Sequence, residues 1–518
     1  MAVLVFNIFC WQLQAADALK VAKIFSSHMV LQQNAKVPIW GWAAPTTEVM
    51  VTFAGQSQKA VTDKDGKWQV KLTPLKTSKE GRSMTISGAG STTTLEDILV
   101  GEVWLCSGQS NMEWKIDMLK IDTASIKAAA EFPLIRHCKV ARRPSPTPQK
   151  DCIADWQICS PKTVGTFSAT AYFFGMNLHK ELDVPIGLVN SSWGGTPIES
   201  WLPFDQQRDN EAIQKLKANF DRQATTYDEV KEKEKFDAAT AKWKESIKGM
   251  DRSKINWRKR PKMRAHPHKS QRYPGSLYNG MIVPLETLAI RGAIWYQGES
   301  NARSVETGSY YKKQLTDMIT SWRTRWQQHD DFPFYFVQLP NFMAPQKNPV
   351  DHDAMWPVVR ESFYRVHKDL KNAAMAITID IGEEKNIHPG NKAEAGRRLA
   401  LQALQNAYSK PIVGCGPVFK SHKIVDNKVI LTFDNIGSGL MAKDGELKTF
   451  AIAGADKKFV WATASTDGKT VTVSSDEVVN PAAVRYAWAN NPIGCNLYNK
   501  ENLPASPFRT DDWELNRK

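Results

Sequence analysis

The sequence predicts an α/β protein with a doubly wound parallel sheet and an all-β segment on either side of it. Short strands that alternate apolar and polar residues, separated by turn residues, fill positions 19–97. From position 98, apolar runs alternate with helical patterns, which is typical of parallel strands buried on both faces. Strand and turn patterns return after position 410.

The first 18 residues are predicted to be a signal peptide. Positions 3–11 form a short apolar run, and Ala16-Asp17-Ala18 fits the small-x-small pattern of a signal-peptidase site. A buried strand is the alternative interpretation of this run. Because no later segment is long and apolar enough to span a bilayer, we expect an exported protein, periplasmic or extracellular, without membrane insertion.

Overall charge and cysteine spacing indicate neither a nucleic-acid partner nor a metal site. The formal charge is +14, but no basic helix, RNA-binding aromatic pair or zinc-ligand cluster accompanies it. Of the seven cysteines, Cys10 lies in the predicted signal peptide, and the other six form no C-x-x-C pair. One or two disulfides are compatible with this spacing.

Three folded segments follow the signal peptide. Positions 19–97 are expected to form a β-sandwich-like domain, 98–409 the α/β domain, and 410–518 a second β domain. Within the α/β domain we predict strands at 98–106, 185–190, 290–296, 334–339 and 374–380, and helices at 168–182, 310–327, 354–370 and 391–408. A Lys- and Glu-rich stretch at about 205–272 interrupts this alternation of strands and helices. It is predicted to be a solvated helical hairpin, with a lid or rim over the functional site as the alternative.

The first predicted strand of the α/β domain ends in a turn suited to a nucleophile. Gly108 stands two residues before Ser110, where the buried strand gives way to a helix. Glycine permits the tight turn, which brings the serine hydroxyl to the edge of the sheet. The helix also offers unpaired N–H groups to a developing oxyanion. A serine that merely caps the helix is the alternative.

Glycines and amides follow the next two strands. Gly194 and Gly195 come after the second strand, where backbone amides could approach an oxyanion closely; a plain tight turn is the alternative. The third strand is followed by Gln297 and Asn301, whose amides could donate to the same oxyanion. Helix capping is the alternative role of Asn301. These features predict an oxyanion hole at the carboxyl edge of the sheet.

A general base is expected near the last strand of the sheet. Of the ten histidines, His388 is the one in a loop at the carboxyl edge of a predicted parallel strand. A loop histidine there could reach Ser110 and accept its proton. A solvated loop histidine is the alternative.

Taken in order, these motifs resemble the sequence blocks of the SGNH hydrolases, and most closely the sialate O-acetylesterase branch of carbohydrate esterases. The blocks are Gly-Gln-Ser-Asn-Met at 108–112, Trp-Gly-Gly-Thr-Pro-Ile-Glu at 193–199, Tyr-Gln-Gly-Glu-Ser-Asn at 296–301 and Ile-His-Pro at 387–389. Positions 276–285, 496–500 and 503–509 are also similar to that branch. The resemblance implies a flavodoxin-like, doubly wound SGNH hydrolase core.

The resemblance also implies a role for individual residues. Ser110 would be the nucleophile and His388 the acid–base, and the backbone amides of Ser110 and Gly194 would hold the oxyanion together with the side chain of Gln297 or, as second choice, Asn301. The acid that orients the histidine usually stands three residues before it, but that position is Lys385 here. Either a nearby carboxylate serves instead, or the enzyme works as a Ser-His dyad, which we favour. The candidate carboxylates are Glu384, Glu383 and Asp380.

The expected activity is the release of acetate from O-acetylated sugars through a serine acetyl-enzyme, without metal or organic cofactor. A sialate substrate is expected first, and acetylated xylan or xyloglucan is the alternative. Tyr278 and Asn279 would lie at the substrate rim, and the basic stretch at 258–272 would favour the anionic sugar if it lined the cleft. A non-catalytic carbohydrate-binding protein is a hypothesis of a different class, because two β segments and 18 tryptophans could bind sugars. A lipase or thioesterase would need an apolar acyl groove, against which the polar insertion argues.

Overall fold

The structure is a computed structural model that describes residues 18–326, 332–351 and 354–515. All but the last residue of the predicted signal peptide, with Cys10, lies outside these ranges. In the described part of the chain, no helix has the length and apolar character needed to cross a membrane. The six cysteines of this part are free thiols, and five of them are buried.

The N-terminal segment contains two antiparallel sheets. Turn residues separate its strands, and apolar residues alternate with polar ones so that one face of each strand is buried. β1, β3 and β6 form one sheet, and β4, β5 and β7 form the other, which continues into the strand that follows. The strands are β1 Lys20–Val21, β2 Val30–Gln32, β3 Val37–Trp42, β4 Glu48–Phe53, β5 Gln56–Val61, β6 Lys67–Leu72 and β7 Ser78–Gly88.

One long strand, β8 (Ser91–Gly108), joins the N-terminal segment to the α/β core. Its first half pairs antiparallel with β7, and its second half lies in the middle of the parallel sheet. The boundary predicted between positions 97 and 98 therefore falls inside a continuous strand. Both segments also share one hydrophobic core, which fixes the N-terminal sheets firmly on the α/β part.

The parallel sheet contains all five strands that the sequence predicts. In spatial order its strands run β10, β9, β11, β8, β12, β13 and β14, with β10 antiparallel at one edge and the others parallel. The five predicted strands are β8, β11, β12, β13 and β14, and they lie in the order 2-1-3-4-5. The further strands are β9 Ile135–Val140, β10 Ala154–Ile158, β11 Ile186–Ser192, β12 Gly292–Tyr296, β13 Phe334–Gln338 and β14 Ala373–Ile377.

Two pairs of helices pack against this sheet. Among the described residues, α3 contacts α8, and α6 contacts α7, and each of the four predicted helices is present. The insertion carries α4 and α5, where Ile213 is the one buried residue, so these helices are largely solvated. The helices are α1 Ser110–Glu113, α2 Thr123–Ala128, α3 Ala169–Leu182, α4 Glu211–Thr225, α5 Glu229–Ser246, α6 Val305–Arg325, α7 Trp356–Asp369 and α8 Lys392–Asn406. Short 3₁₀ turns join several of them, and Tyr278–Ile282 forms one turn of π-helix.

The C-terminal segment has a hydrophobic core of its own, built from three small antiparallel sheets. β15, β16, β21 and β20 form one sheet, β19, β18, β22 and β24 a second, and β17 and β23 a third. The strands are β15 Val418–Val425, β16 Lys428–Asp434, β17 Leu440–Ala442, β18 Phe450–Ala453, β19 Val460–Trp461, β20 Thr463–Thr466, β21 Thr470–Ser474, β22 Ala483–Tyr486, β23 Leu497–Asn499 and β24 Phe508–Arg509.

Candidate active site

The turn between β8 and α1 presents Ser110 at the carboxyl edge of the parallel sheet. Gly108 has a φ of 136°, and a Cβ atom there would collide with the carbonyl group of Tyr296 on β12. Backbone bonds fix the turn to both neighbouring strands: the Gln109 amide donates to Tyr296 O at 2.9 Å, and the Trp193 amide donates to Gly108 O at 3.0 Å. Glycine is therefore required for this turn, and the serine that follows is held rigidly.

The structure brings Ser110 and His388 into direct contact. The Oγ of Ser110 lies 2.8 Å from Nε2 of His388, although 278 positions separate the two residues. The imidazole stacks on the indole of Trp114, with 4.3 Å between ring centroids and an angle of 19° between the planes. Trp114 follows α1 directly, so the element that carries the serine also orients the histidine.

None of the three candidate carboxylates hydrogen-bonds to His388 in the part of the chain that the structure describes. Asp380 pairs instead with Arg398, at 2.6 Å, and accepts a bond from the hydroxyl of Tyr498. Glu383 accepts a bond from the Gly390 amide at 2.6 Å and thereby closes the histidine loop. For Glu384, the structure gives a backbone contact alone, from its carbonyl to the amide of Met343. The three carboxylates predicted to orient the histidine therefore make other contacts in this structure.

His388 is kept neutral by its surroundings. Burial lowers the pKa of its imidazole to about 4, and repulsion from the nearby ammonium of Lys392 contributes in the same direction. A neutral imidazole can accept a proton from the neighbouring serine, and His388 is in this form at neutral pH.

A buried polar network lies beside the Ser110–His388 pair. Asn111 donates to Oε1 of Glu299 at 2.5 Å and to the carbonyl of Ile387, and its own Oδ1 accepts from Lys392 at 2.5 Å. Burial raises the pKa of Glu299 and lowers that of Lys392 to about 7. The second oxygen of Glu299 is buried and has no hydrogen-bond partner among the described residues.

This network ties the serine helix to the histidine loop. Asn111 and Glu299 belong to the sequence motifs, which is the one signal that could have drawn attention to them. Nothing local in the sequence marks Lys392, because its burial depends on α8 packing against the sheet.

Of the two backbone amides predicted to bind the oxyanion, that of Ser110 is available to donate and that of Gly194 already donates to a side chain. The amide of Ser110 has no acceptor among the described residues. The amide of Gly194 donates to Oε2 of Glu113 at 2.8 Å. Gly194 nevertheless lies beside Ser110, since a Cβ atom on it would be 3.2 Å from the Cβ of Ser110. Donation from Gly194 to an oxyanion therefore requires the carboxylate of Glu113 to release that amide.

Gln297 and Asn301 do not point a spare donor at Ser110, which differs from the oxyanion role suggested by the sequence. The fully buried Gln297 amide lies within hydrogen-bond distance of Gln109 Oε1, Thr196 O and Asn301 Oδ1, at 2.8 to 3.2 Å. The nitrogen of Asn301 donates to Glu199 at 3.0 Å. In this arrangement the two amides join the three loops that surround Ser110.

The predicted substrate rim is also corrected. Tyr278 is 3% exposed, and its hydroxyl donates to the carboxylate of Glu286. Asn279 is half-buried and donates to the carbonyl of Ser145 at 3.3 Å. The residue of this region that does reach the site is Gln271, at the end of the insertion, which donates to the carbonyl of Gly194 at 3.1 Å.

Comparison with known proteins places this chain in a family. A sequence profile described as a carbohydrate esterase, sialic acid-specific acetylesterase, matches residues 100–230 and 253–405. The sialate O-acetylesterases of Mus musculus and Homo sapiens are 28% and 27% identical over 95% and 98% of this chain, and over 94% and 95% of their own length. The crystal structure of a carbohydrate acetylesterase from Xanthomonas citri is 34% identical, with a TM-score of 0.80 over 96% of this chain and 100% of that chain. The chain therefore belongs to the sialic acid-specific acetylesterase family of carbohydrate esterases.

Proposed function

We propose that this protein hydrolyses acetyl esters of sugars, sialic acids first, with Ser110 as the nucleophile. The observation that carries the proposal is the 2.8 Å contact between Ser110 Oγ and the neutral His388 imidazole at the carboxyl edge of a parallel sheet. Membership of a carbohydrate esterase family and the likeness to sialate O-acetylesterases support the same reaction and substrate class.

In the proposed mechanism, His388 Nε2 takes the proton of Ser110 as its oxygen attacks the acetyl carbonyl. The Ser110 amide stabilises the oxyanion, and the Gly194 amide joins it when the carboxylate of Glu113 moves off. The imidazolium then returns the proton to the departing sugar oxygen. Water hydrolyses the acetyl-enzyme with His388 again as the base, and acetate leaves.

Four finer features belong to this proposal. The core is a doubly wound SGNH hydrolase sheet, which the strand order 2-1-3-4-5 supports. Ser110 and His388 act as a dyad. The chain is organised as a β-sandwich-like segment at 19–97, which shares strand β8 and a hydrophobic core with the hydrolase domain at 98–409, and a C-terminal β domain at 410–518. The apolar run at 3–11 directs the protein out of the cytoplasm.

The proposal is tested by measuring acetate release with Ser110→Ala. Acylation needs the serine oxygen, so we expect kcat on an aryl acetate to fall by about 10⁴-fold or more. Ser125→Ala, which changes an exposed serine in α2, is the matched control and should retain full activity. A Ser110→Ala variant that keeps its fold and most of its activity would refute the assignment.

Substrate class is tested with the unmodified enzyme on O-acetylated sialic acids, acetylated xylan and acetylated xyloglucan. The proposal expects the highest kcat/KM on the sialic acids. A carbohydrate-binding protein without catalytic activity would bind these compounds but release no acetate.

A further inference from the structure

A pair of cations lies next to the nucleophile, on the side where Glu113 contacts Gly194. Arg142 donates through Nε and Nη2 to Oε1 of Glu113, at 2.8 and 2.6 Å. The ammonium of Lys139 is 3.9 Å from the same oxygen and donates to Ser192 O and Asn190 Oδ1, both at 3.2 Å. Arg142 and Lys139 together form the cation pair of this surface.

The environment of the cation pair already holds a carboxylate close to the reacting serine. Glu113 bridges the guanidinium of Arg142 and the amide of Gly194, which lies against Ser110. A carboxylate bound between a guanidinium and a backbone N–H identifies this surface as one that accepts anionic oxygens. The acceptor that occupies it now is a side chain of the protein itself.

The charges of this surface do not balance. One carboxylate, that of Glu113, faces the two members of the cation pair, so a positive excess remains next to the Ser110 loop. Burial lowers the pKa of Lys139 to about 8, and at pH 7 most of its population is still charged. A second anion is therefore favoured here, whereas a neutral ligand gains nothing from the excess.

Arg142 is also the accessible member of the pair. Half of its side chain is exposed, at 50%, and its guanidinium lies over the ring of Trp193, 5.4 Å from the centroid. Stacking holds the planar fork in place, which reduces the ordering cost of a further bond. Its Nη1 has no acceptor among the described residues, and this leaves a donor for an incoming carboxylate.

We propose that Arg142 binds the carboxylate of an acidic sugar substrate while the O-acetyl group of that sugar sits at Ser110. This inference rests on the proposed esterase function and deepens it, because it assigns the preference for an anionic sugar to one residue. Arg142 is a specificity residue: it contributes to the binding of acidic sugars and does not contact the acetyl group, so any effect that it has through Glu113 would be the same for charged and neutral substrates.

The experiment compares 9-O-acetyl-N-acetylneuraminic acid with its C1 methyl ester, which carries the same acetyl group without the negative charge. Acetate release is measured with Arg142→Gln, Arg142→Lys and the unmodified protein. We expect Arg142→Gln to raise KM for the free acid about tenfold or more and to change KM for the methyl ester less than about twofold. Arg142→Lys keeps the charge but loses the planar guanidinium. Its KM for the free acid should therefore lie between those of the unmodified protein and of Arg142→Gln.

The control is Arg143→Gln, which removes the same charge from the neighbouring, exposed arginine, whose guanidinium contacts the carbonyl of Asp151 at 3.4 Å. It should leave the ratio of the two KM values unchanged. If the unmodified enzyme acts on both compounds but Arg142→Gln alters both KM values equally or neither, the carboxylate site is refuted and the esterase proposal stands. A lower KM for the methyl ester than for the acid would likewise refute the site. If the unmodified protein releases acetate from neither compound, both proposals fail.

Discussion

Burial of His388 sets the acid limit of the proposed reaction, and the charge of Lys392 lowers that limit further. A protonated His388 cannot accept the proton of Ser110, and burial with repulsion from Lys392 lowers the pKa of this histidine to about 4. Because the lowered pKa favours the neutral form, we expect kcat/KM to be constant above about pH 5 and to be lost as the pH falls through about 4. Replacing Lys392 with Met removes the repulsion, so the pKa of His388 rises and the acid limb moves to higher pH. The profile is measured with an aryl acetate.

Lys385→Met is the matched control for this prediction. Lys385 is an exposed lysine three positions before His388. Its removal should leave the acid limb in place, because the charge that acts on the imidazole is that of Lys392. Equal shifts in the two variants, or no shift in Lys392→Met, would contradict the role given to Lys392.

The turn between β8 and α1 places Ser110 at the edge of the sheet, and its shape depends on Gly108. Gly108 combines a φ of 136° with a position where a Cβ atom would overlap the carbonyl group of Tyr296. We expect Gly108→Ala to force β8 and β12 apart, to cost about 2 to 5 kcal/mol of stability and to lower kcat about a hundredfold by displacing Ser110. Denaturant unfolding and acetate release measure the two effects.

Gly55→Ala separates backbone strain from collision. Gly55 also has a positive φ, 76°, but nothing lies within 4 Å of a Cβ atom placed there. This variant should lose about 1 kcal/mol and keep its full kcat. If both variants behave alike, the contact with β12 is not what makes glycine necessary at position 108.

Also at the scale of elements, the parallel strands of the α/β domain could be predicted from the sequence except for β9. The sequence of β9 is Ile-Arg-His-Cys-Lys-Val. Because three of its six residues are basic, the sequence does not indicate a buried strand, although five of the six residues are buried. The basic side chains are tolerated because of partners from distant parts of the chain: Arg136 pairs with Asp97 at 2.7 Å, and Lys139 bonds to the end of β11. A local pattern contains no information on such partners.

The part of the site that depends on local sequence could be predicted, and the part that depends on distant partners could not. Ser110 and His388 stand in motifs whose chemistry is local, at the ends of strands that are evident from their apolar runs. The contacts of Glu113 with Gly194 and Arg142, and the burial of Lys392, arise only when β8, β9, β11 and α8 pack together. The amides of Gln297 and Asn301 were expected at the oxyanion, because the sequence does not reveal that each already has buried acceptors.

At the scale of the whole molecule, Arg360 links the hydrolase core to the C-terminal β segment through buried hydrogen bonds. Its guanidinium is fully buried, and four backbone carbonyls accept its hydrogen bonds at 2.7 to 2.9 Å. Two of these carbonyls, of Leu339 and Pro340, follow β13, and the other two belong to Ala489 and Asn490 of the C-terminal segment. Burial lowers the pKa of this arginine to about 9, so the bonds to the carbonyls must offset the cost of burying its charge.

Removing this guanidinium should therefore weaken the attachment of the C-terminal segment. We expect Arg360→Met to lower the stability by about 3 kcal/mol or more, because four buried carbonyls lose a charged donor at once. Arg365→Met, in the same helix, removes an exposed arginine that pairs with Glu361 at 2.7 Å and should cost less than about 1 kcal/mol. Denaturant unfolding gives the stabilities, and limited proteolysis shows whether the C-terminal segment is released first. Since that segment has its own hydrophobic core, we expect it to detach as a folded unit in Arg360→Met. Equal behaviour of the two variants would show that the other contacts between the segments, such as that of Arg509 with Glu361, hold them together without Arg360.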